Sequence, residues 1–598
     1  MKHSEEKDSL NLSTSIKQVN YLTHVPMSSG FETNESADTN NVFRLINTLF
    51  QANLAKISRG ISPASVATTW FSWISQLAQS PGTLLELMTY PVTHGNQCIN
   101  KILSANRAVD GEDVRFKEDY WQTLPWCFYV EQFLQTEDWW CHATKNVPGV
   151  SSSVERSVSF GTRQLLDAIS PSNFVLTNPA LFHETIQSGG FNLIRGAQLA
   201  MTDCLNRLAG KPPPGAERFI PGKEVAVTPG KIVFGNHLIE LIQYEPQTKT
   251  VFKEPVLIIP AWIMKYYILD LSPHNSLVNW LVAQGHTVFM VSWRNPDEKD
   301  RHFGMDDYYR LGAMAAIDTV SHIVPETGIH LMGYCLGGTL SLITASAMAG
   351  LNDERLKSLT LLAAQGDFTE AGELMLFISE SEISFLKNMM WTQGYLDTKQ
   401  MAGAFQMLRS YDLIWSKMIQ DYMNGEQRGM IDLLAWNADA TRMPYKMHSE
   451  YLEKLFLNND FAEDRFIVEG EIVSPLNIDL PIFAVSTDKD HVAPWQSVYK
   501  IHGITVCDIT FVLASGGHNA GIVSEPHHEG RSYHIYETRK DANYVGIDRW
   551  LKMAEQRDGS WWIAWHDWLV QHSASKRVPN RKIDASLPPA PGAYVMQK

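Results

Sequence analysis

Ile329-His330-Leu331-Met332-Gly333-Tyr334-Cys335-Leu336-Gly337-Gly338 is the stretch on which the fold turns. Ile329–Met332 reads as a short strand and the apolar-periodic run Thr339–Ala349 as a helix. Between them lies G-x-C-x-G, a nucleophile elbow with cysteine where serine is usual. The spacing has a physical reason. A tight strand-to-helix turn strains the backbone of its central residue, and a glycine two positions away on each side leaves no side chain to clash across it. The helix that follows aims its first amides at the thiol, which favours a thiolate and lets the Leu336 N–H stabilise an oxyanion. A buried structural thiol on a Gly-rich turn has the same local look. The elbow makes a further demand: an acid and then a histidine, each in a loop after a later strand.

Both follow. The strand Pro481–Val485 runs into Ser486-Thr487-Asp488-Lys489-Asp490-His491-Val492-Ala493-Pro494, and Ile509–Leu513 runs into Ala514-Ser515-Gly516-Gly517-His518-Asn519-Ala520-Gly521. The order nucleophile, acid, histidine is that of the α/β-hydrolase fold. Asp490 is preferred to Asp488 because D-x-V-x-P is the usual ending of that loop. A turn or N-cap is the ordinary work of a loop aspartate, but no helix or core pattern claims His518. His491 reads as a loop residue that helps to position Asp490.

Outward from the elbow the same alternation continues. Val256–Ile259, Thr287–Ser292, Leu359–Leu362 and Ile482–Val485 read as strands, with a helical stretch at Ser276–Gln284. This predicts a doubly wound, mostly parallel α/β sheet in a catalytic domain over 224–598. Residues 369–475 interrupt the alternation and read as a mostly helical cap insertion, with Trp391, Trp415 and Trp436 as lid or core tryptophans. Upstream, four prolines fall within 210–223, which reads as a linker. Residues 42–209 read as a mostly helical N-terminal domain, with Asn40 or Asn41 as the cap of its first helix. Residues 1–41 are polar and read as a disordered tail.

The balance of 50 Lys+Arg against 65 Asp+Glu, a net −15 over 598 residues, excludes a chain whose main work is holding nucleic acid. Six scattered cysteines with no CxxC pair exclude a disulfide framework and a cysteine-rich metal site, and predict reduced thiols in a cytoplasmic protein. No secretory h-region and no run of 18 apolar residues occur, so no membrane span is expected; the most apolar stretch, Pro255 to Leu271, is broken by Lys265 and Asp270.

Motifs beyond the triad resemble the polyhydroxyalkanoate synthases, over roughly residues 75–598. Ile263-Met264-Lys265-Tyr266-Tyr267-Ile268-Leu269-Asp270-Leu271 is similar to the family's INKYYILDL. The run from Gly285 to Asp297 is similar to its GHTVF-x-VSWRNPD, and Trp436-Asn437-Ala438-Asp439-Ala440-Thr441 to a segment of its cap. Asp113, Arg115, Phe116 and Trp121 match its D-x-R-F…W pattern. Ser188 to Leu193, Gly559-Ser560-Trp561-Trp562 and the ending Pro589 to Val595 fit as well. Two departures stand out: Met264 replaces the asparagine of INK, and Pro260-Ala261 replaces paired prolines.

The resemblance implies a single-subunit acyltransferase, similar to the class I type, that polymerises (R)-3-hydroxyacyl-CoA, of short chain such as 3-hydroxybutyryl-CoA, and releases CoA. Cys335 would carry the acyl group and His518 would move protons. Asp490 would orient the imidazole; in the family it is also assigned the activation of the hydroxyl. Leu336 and Ile263 or its neighbour would hold the oxyanion, and Trp436 becomes a cap, dimer or access candidate. The implied partners are the growing polyester chain, the granule surface and a second copy in a homodimer, with no cofactor beyond the CoA substrate. A thiol hydrolase that passes the acyl group to water would use the same triad.

Overall fold

The apolar runs pair side by side. In a computed structural model describing residues 35–58, 60–103, 113–398, 400–401 and 410–598, ten strands form one sheet: β1 (Gly230–Gly235), β2 (Ile239–Tyr244), β3 (Val256–Ile259), β4 (Val288–Trp293), β5 (Ile329–Tyr334), β6 (Leu356–Leu362), β7 (Ile482–Thr487), β8 (Ile509–Ala514), β9 (Ser532–Thr538) and β10 (Glu555–Asp558). Their spatial order is β1-β2-β4-β3-β5-β6-β7-β8-β9-β10. The six from β4 to β8 in that order are parallel; β1, β2, β9 and β10 pair antiparallel at the flanks.

Side chains alternate between the two faces of the sheet. Leu257, Phe289, Leu331 and Leu359 enter a core shared with the helices Ala315–Ile323 and Leu336–Gly350. Ile258, Met290, Met332 and Phe483 enter the opposite core, shared with Leu277–Ala283 and Trp561–Gln571. Strands β3, β4, β5, β7 and β8 are buried at every residue, as expected of parallel strands covered on both faces. The outermost strand, Glu555-Gln556-Arg557-Asp558, is exposed throughout, and its charges blunt a sheet edge.

The expected strands are present, and β5 runs two residues further than its apolar run, to Tyr334. The four antiparallel strands were not read in the sequence. β9, with half-exposed positions along most of its length, carries no apolar run to announce it.

The described residues of 369–475 are mostly helical. They include Glu380–Gln393, Tyr445–Glu450 and the π-helical stretches Tyr411–Trp415, Met418–Met423 and Tyr451–Leu457, with a short ladder between Tyr395-Leu396 and Met443-Pro444.

Helices occupy most of the described residues of 35–208. The first begins at Glu35, so Asn40 and Asn41 lie inside it and do not cap it. The remainder of the expected tail, 1–34, lies outside the described residues. Arg115 explains its motif: 7% exposed, it forms ion pairs with Asp113, Glu137 and Asp167 and lies over the rings of Phe116 and Phe133. Secondary structure changes character at 210–229, yet residues 49–598 form one compact unit. Asn192 Nδ2 donates to Met423 O (2.8 Å), and Ser410 Oγ to Asp167 Oδ2 (3.2 Å), joining the N-terminal helices to the insertion. Among the described residues, no helix is long and apolar enough to cross a membrane.

Candidate active site

β5 ends at Tyr334 and the helix Leu336–Gly350 starts two residues later. Cys335 sits between them at φ 53°, ψ −124°, a conformation that costs a non-glycine residue free energy. Its N–H donates to Leu362 O (2.8 Å), pinning the turn to β6. The glycines are required by space. A Cβ on Gly333 would lie 2.3 Å from Gly338 Cα, and one on Gly337 2.1 Å from Ile259 O. Leu336 is the first helical residue, so its N–H belongs to the set of amides with no intrahelical acceptor.

The loops after β7 and β8 meet over this turn. His518 Nδ1 lies 2.7 Å from Asp490 Oδ2. The other carboxylate oxygen accepts the amides of Val492 (2.9 Å) and Ala493 (2.8 Å). Asp488 serves elsewhere, accepting from Gly516 N at 2.7 Å. The Asp490 side chain is fully buried, and that of His518 is 15% exposed. Burial alone pulls the His518 pKa down. The Asp490 carboxylate and the neighbouring Cys335 outweigh that and hold the pKa well above the ordinary histidine value. The loop that bears His518 is tied down by two buried indoles: Trp561 Nε1 donates to Gly521 O and Trp562 Nε1 to Ile522 O, both at 3.0 Å.

Cys335 and Leu336 open on a cavity of about 180 Å³. Ile263 and Val492 contribute to its wall, and insertion residues such as Phe377 and Tyr451 cover it. Gly60 and Ile61 line it too, a contribution from the N-terminal region that no sequence signal announced. The amide next to them, Ser62 N, donates to both carboxylate oxygens of Glu382, at 2.9 and 3.1 Å.

Among the expected site residues, then, Cys335, Leu336 and Ile263 share one cavity and Asp490 joins His518. His491 is exposed; its carbonyl faces Gly372, and no contact of its ring with the triad is seen. Trp436 does not line the cavity. It is 3% exposed in the core beneath the sheet, and its Nε1 donates to Lys265 O (2.8 Å). The indole belongs there because its apolar faces fill that core while its one polar atom finds a carbonyl. It therefore anchors the insertion instead of presenting a dimer or access surface. Thr441 extends the seam: its N–H donates to Ile263 O (3.1 Å) and its hydroxyl to Trp262 O (2.5 Å). His448, buried in the cavity wall, was not singled out by the sequence, where nothing distinguishes it from its neighbours. Among the described residues, no cluster of three or more His, Cys, Asp or Glu side chains is arranged to hold a metal ion.

Three family models match the chain: "Poly-beta-hydroxybutyrate polymerase N terminal" over residues 42–83, "Poly-beta-hydroxybutyrate polymerase (PhaC) N-terminus" over 112–281, and "alpha/beta hydrolase fold" over 254–525. A poly(3-hydroxyalkanoate) polymerase of Methylorubrum extorquens is 40% identical over 533 residues, covering 88% of this chain and 84% of that one. A poly(3-hydroxyalkanoate) polymerase subunit PhaC of Rhizobium meliloti is 38% identical over 492 residues, covering 81% and 79%. Among solved structures, a monoacylglycerol lipase of Paleococcus ferrophilus aligns at 13% identity and a TM-score of 0.32, covering 56% of this chain and 99% of that one.

Proposed function

Since the chain belongs to the poly(3-hydroxyalkanoate) polymerase family and is therefore an acyltransferase-type enzyme, we propose that it polymerises (R)-3-hydroxyacyl-CoA through a thioester on Cys335. The observation that carries the reading is the Cys335–His518–Asp490 arrangement beneath a cap that closes an apolar cavity. Cys335, as thiolate, attacks the thioester carbonyl, and the acyl group passes from CoA sulfur to protein sulfur. His518 gives its proton to the departing CoA thiolate, then takes the proton of the incoming 3-hydroxyl as that oxygen attacks. Asp490 fixes the ring and its tautomer. The Leu336 N–H and a main-chain donor at Ile263 receive the oxyanion. Thioester exchange between two sulfurs is nearly balanced in energy, so the chain stays activated until the next hydroxyl arrives.

The apolar cover has a chemical purpose under this reading, because water reaching the acyl-thioester would end the chain. The substrate under this reading is a short-chain thioester such as 3-hydroxybutyryl-CoA. The same reading has the enzyme working in the cytoplasm at the polyester granule surface, as a homodimer and with no cofactor beyond the CoA substrate.

The test is incubation with purified (R)-3-hydroxybutyryl-CoA, following CoA and polymer together. CoA release with stoichiometric polymer is expected, and Cys335→Ala should abolish both. Free 3-hydroxybutyrate in place of polymer would identify a thiol hydrolase instead, and unchanged CoA release by Cys335→Ala would mean a different nucleophile.

A further inference from the structure

The cavity over Cys335 is walled largely by apolar side chains, among them Phe368, Leu386, Met443 and Phe456. Three polar side chains in the wall are engaged. Thr339 Oγ1 donates to Gln365 O (2.8 Å), Gln365 Nε2 to Ser497 Oγ (3.1 Å), and Gln400 Oε1 accepts the amide of Asp397 (3.0 Å). His448 differs. It is 6% exposed, and its Nδ1 is buried without a hydrogen-bond partner. Folded chains rarely leave a buried ring nitrogen unpaired, so this nitrogen is suited to take a hydrogen-bond partner from a ligand in the cavity. Desolvation pushes the His448 pKa down to about 3, so the ring is neutral and offers one lone pair and one N–H. Tyr451 lies in the same wall as Cys335, its ring centroid 6.0 Å from that of His448.

A neutral donor–acceptor in an apolar chamber above a nucleophile suits an alcohol, which both donates and accepts. It does not suit an anion, for which the described residues of the wall offer no lysine or arginine. We propose that His448 hydrogen-bonds the 3-hydroxyl of the acyl group while Cys335 is acylated, and so selects hydroxyacyl thioesters over plain acyl thioesters. This rests on the Cys335 thioester reading above. A plain acyl group of the same length fills the same apolar volume but leaves the His448 nitrogen unpaired, and sites built around a hydroxyl discriminate against analogues that lack it.

The experiment is rapid-quench measurement of first-turnover CoA release from (R)-3-hydroxybutyryl-CoA and from butyryl-CoA. Butyryl-CoA can acylate Cys335 but has no hydroxyl to extend. Wild type is expected to react about tenfold or more faster with the hydroxyacyl ester. His448→Leu should lose that advantage, the two esters then reacting at rates within about twofold of each other. His448→Gln, whose amide both donates and accepts, should recover part of it. Equal rates for the two esters in wild type would overturn the proposal without any variant, and equal slowing of both esters in His448→Leu would reduce His448 to packing. If wild type releases CoA from neither ester, or releases it without acylating Cys335, the thioester reading itself falls and takes this proposal with it.

Discussion

Asp490 holds His518 with one carboxylate oxygen, at 2.7 Å, while the other oxygen is occupied by the amides of Val492 and Ala493. The carboxylate is thus fixed before substrate arrives, and its charge is spent on the imidazole. Because Asp490 and Cys335 raise the His518 pKa, the imidazolium persists above the ordinary histidine range and is lost only as pH rises through the raised value. Asp490→Asn removes one of those two causes. The alkaline limb of the kcat/KM profile is expected to move to lower pH, with a fall in rate of about 10²–10⁴-fold at the optimum. A pH–rate profile of CoA release checks this; an unmoved alkaline limb would show that the limb does not report His518.

Trp436 predicts a separable effect. Its indole N–H reaches Lys265 O from a buried position next to the Ile263 loop. Trp436→Phe keeps most of the apolar volume but leaves that carbonyl without its donor. A loss of about 1–3 kcal/mol in urea unfolding is expected. The kcat for 3-hydroxybutyryl-CoA should fall as well, since the seam positions Ile263. Unchanged stability would mean that water replaces the indole N–H without cost.

How much of this was legible in the sequence follows from what each feature needs. β3 to β8 declare themselves because parallel strands covered on both faces are apolar at most positions. The elbow, Asp490 and His518 declare themselves because each stands in a short loop at a fixed place after such a strand. β9 and β10 face solvent on one side or both and leave only a polar text. Trp436 was visible as a motif residue, but its direction was not: a tryptophan in a helical insertion reads the same whether it lines a channel or anchors a seam. His448 was invisible because its distinction is a missing partner, which exists only once the cavity has closed around it. The same holds for Gly60 and Ile61, some 275 residues from Cys335 along the chain.

Buried histidines predict acid lability. His286 and His330 are each at most 1% exposed, and His502 is partly buried. Desolvation lowers all three pKa values, with neighbouring cationic groups adding to it for His286 and His330; those of His330 and His502 are about 3 and about 4. The unfolded chain therefore binds protons that the folded chain refuses. Stability is complete above the unfolded value of about 6.5 and falls as pH drops below it, by about 1.4 kcal/mol per pH unit for each such histidine. His330 hydrogen-bonds Ser358 (2.7 Å) and Ser573 (3.0 Å) while neutral. Urea unfolding between pH 7 and pH 5 should show the decline, and His330→Asn should flatten it by about one histidine's share. Equal slopes for variant and wild type would count against this account.

Glu382 predicts the opposite dependence. Its carboxylate accepts Ser62 N twice, so the insertion holds the start of the helix Pro63–Ala78 beside Gly60 and Ile61 in the cavity wall. Burial pushes the Glu382 pKa up to about 7, against the lowering effect of the bonds from Ser62 and Ser65. A raised pKa contributes stability in full below the unfolded value of about 4.3, and that contribution is lost as pH rises through about 7. Above pH 7 the residue is a buried carboxylate held by the hydrogen bonds from Ser62 and Ser65. Glu382→Gln keeps an acceptor for Ser62 N and cannot ionise. The variant is expected to match wild type at pH 4 and to exceed it by about 1–3 kcal/mol at pH 8.5 in urea unfolding. Glu382→Ala, which removes the acceptor as well, should be less stable than wild type at pH 4, where the carboxyl group is protonated in the folded and largely in the unfolded chain. A Glu382→Gln variant that loses stability at pH 8.5 would show that the charge itself, more than the acceptor, holds Ser62 in place.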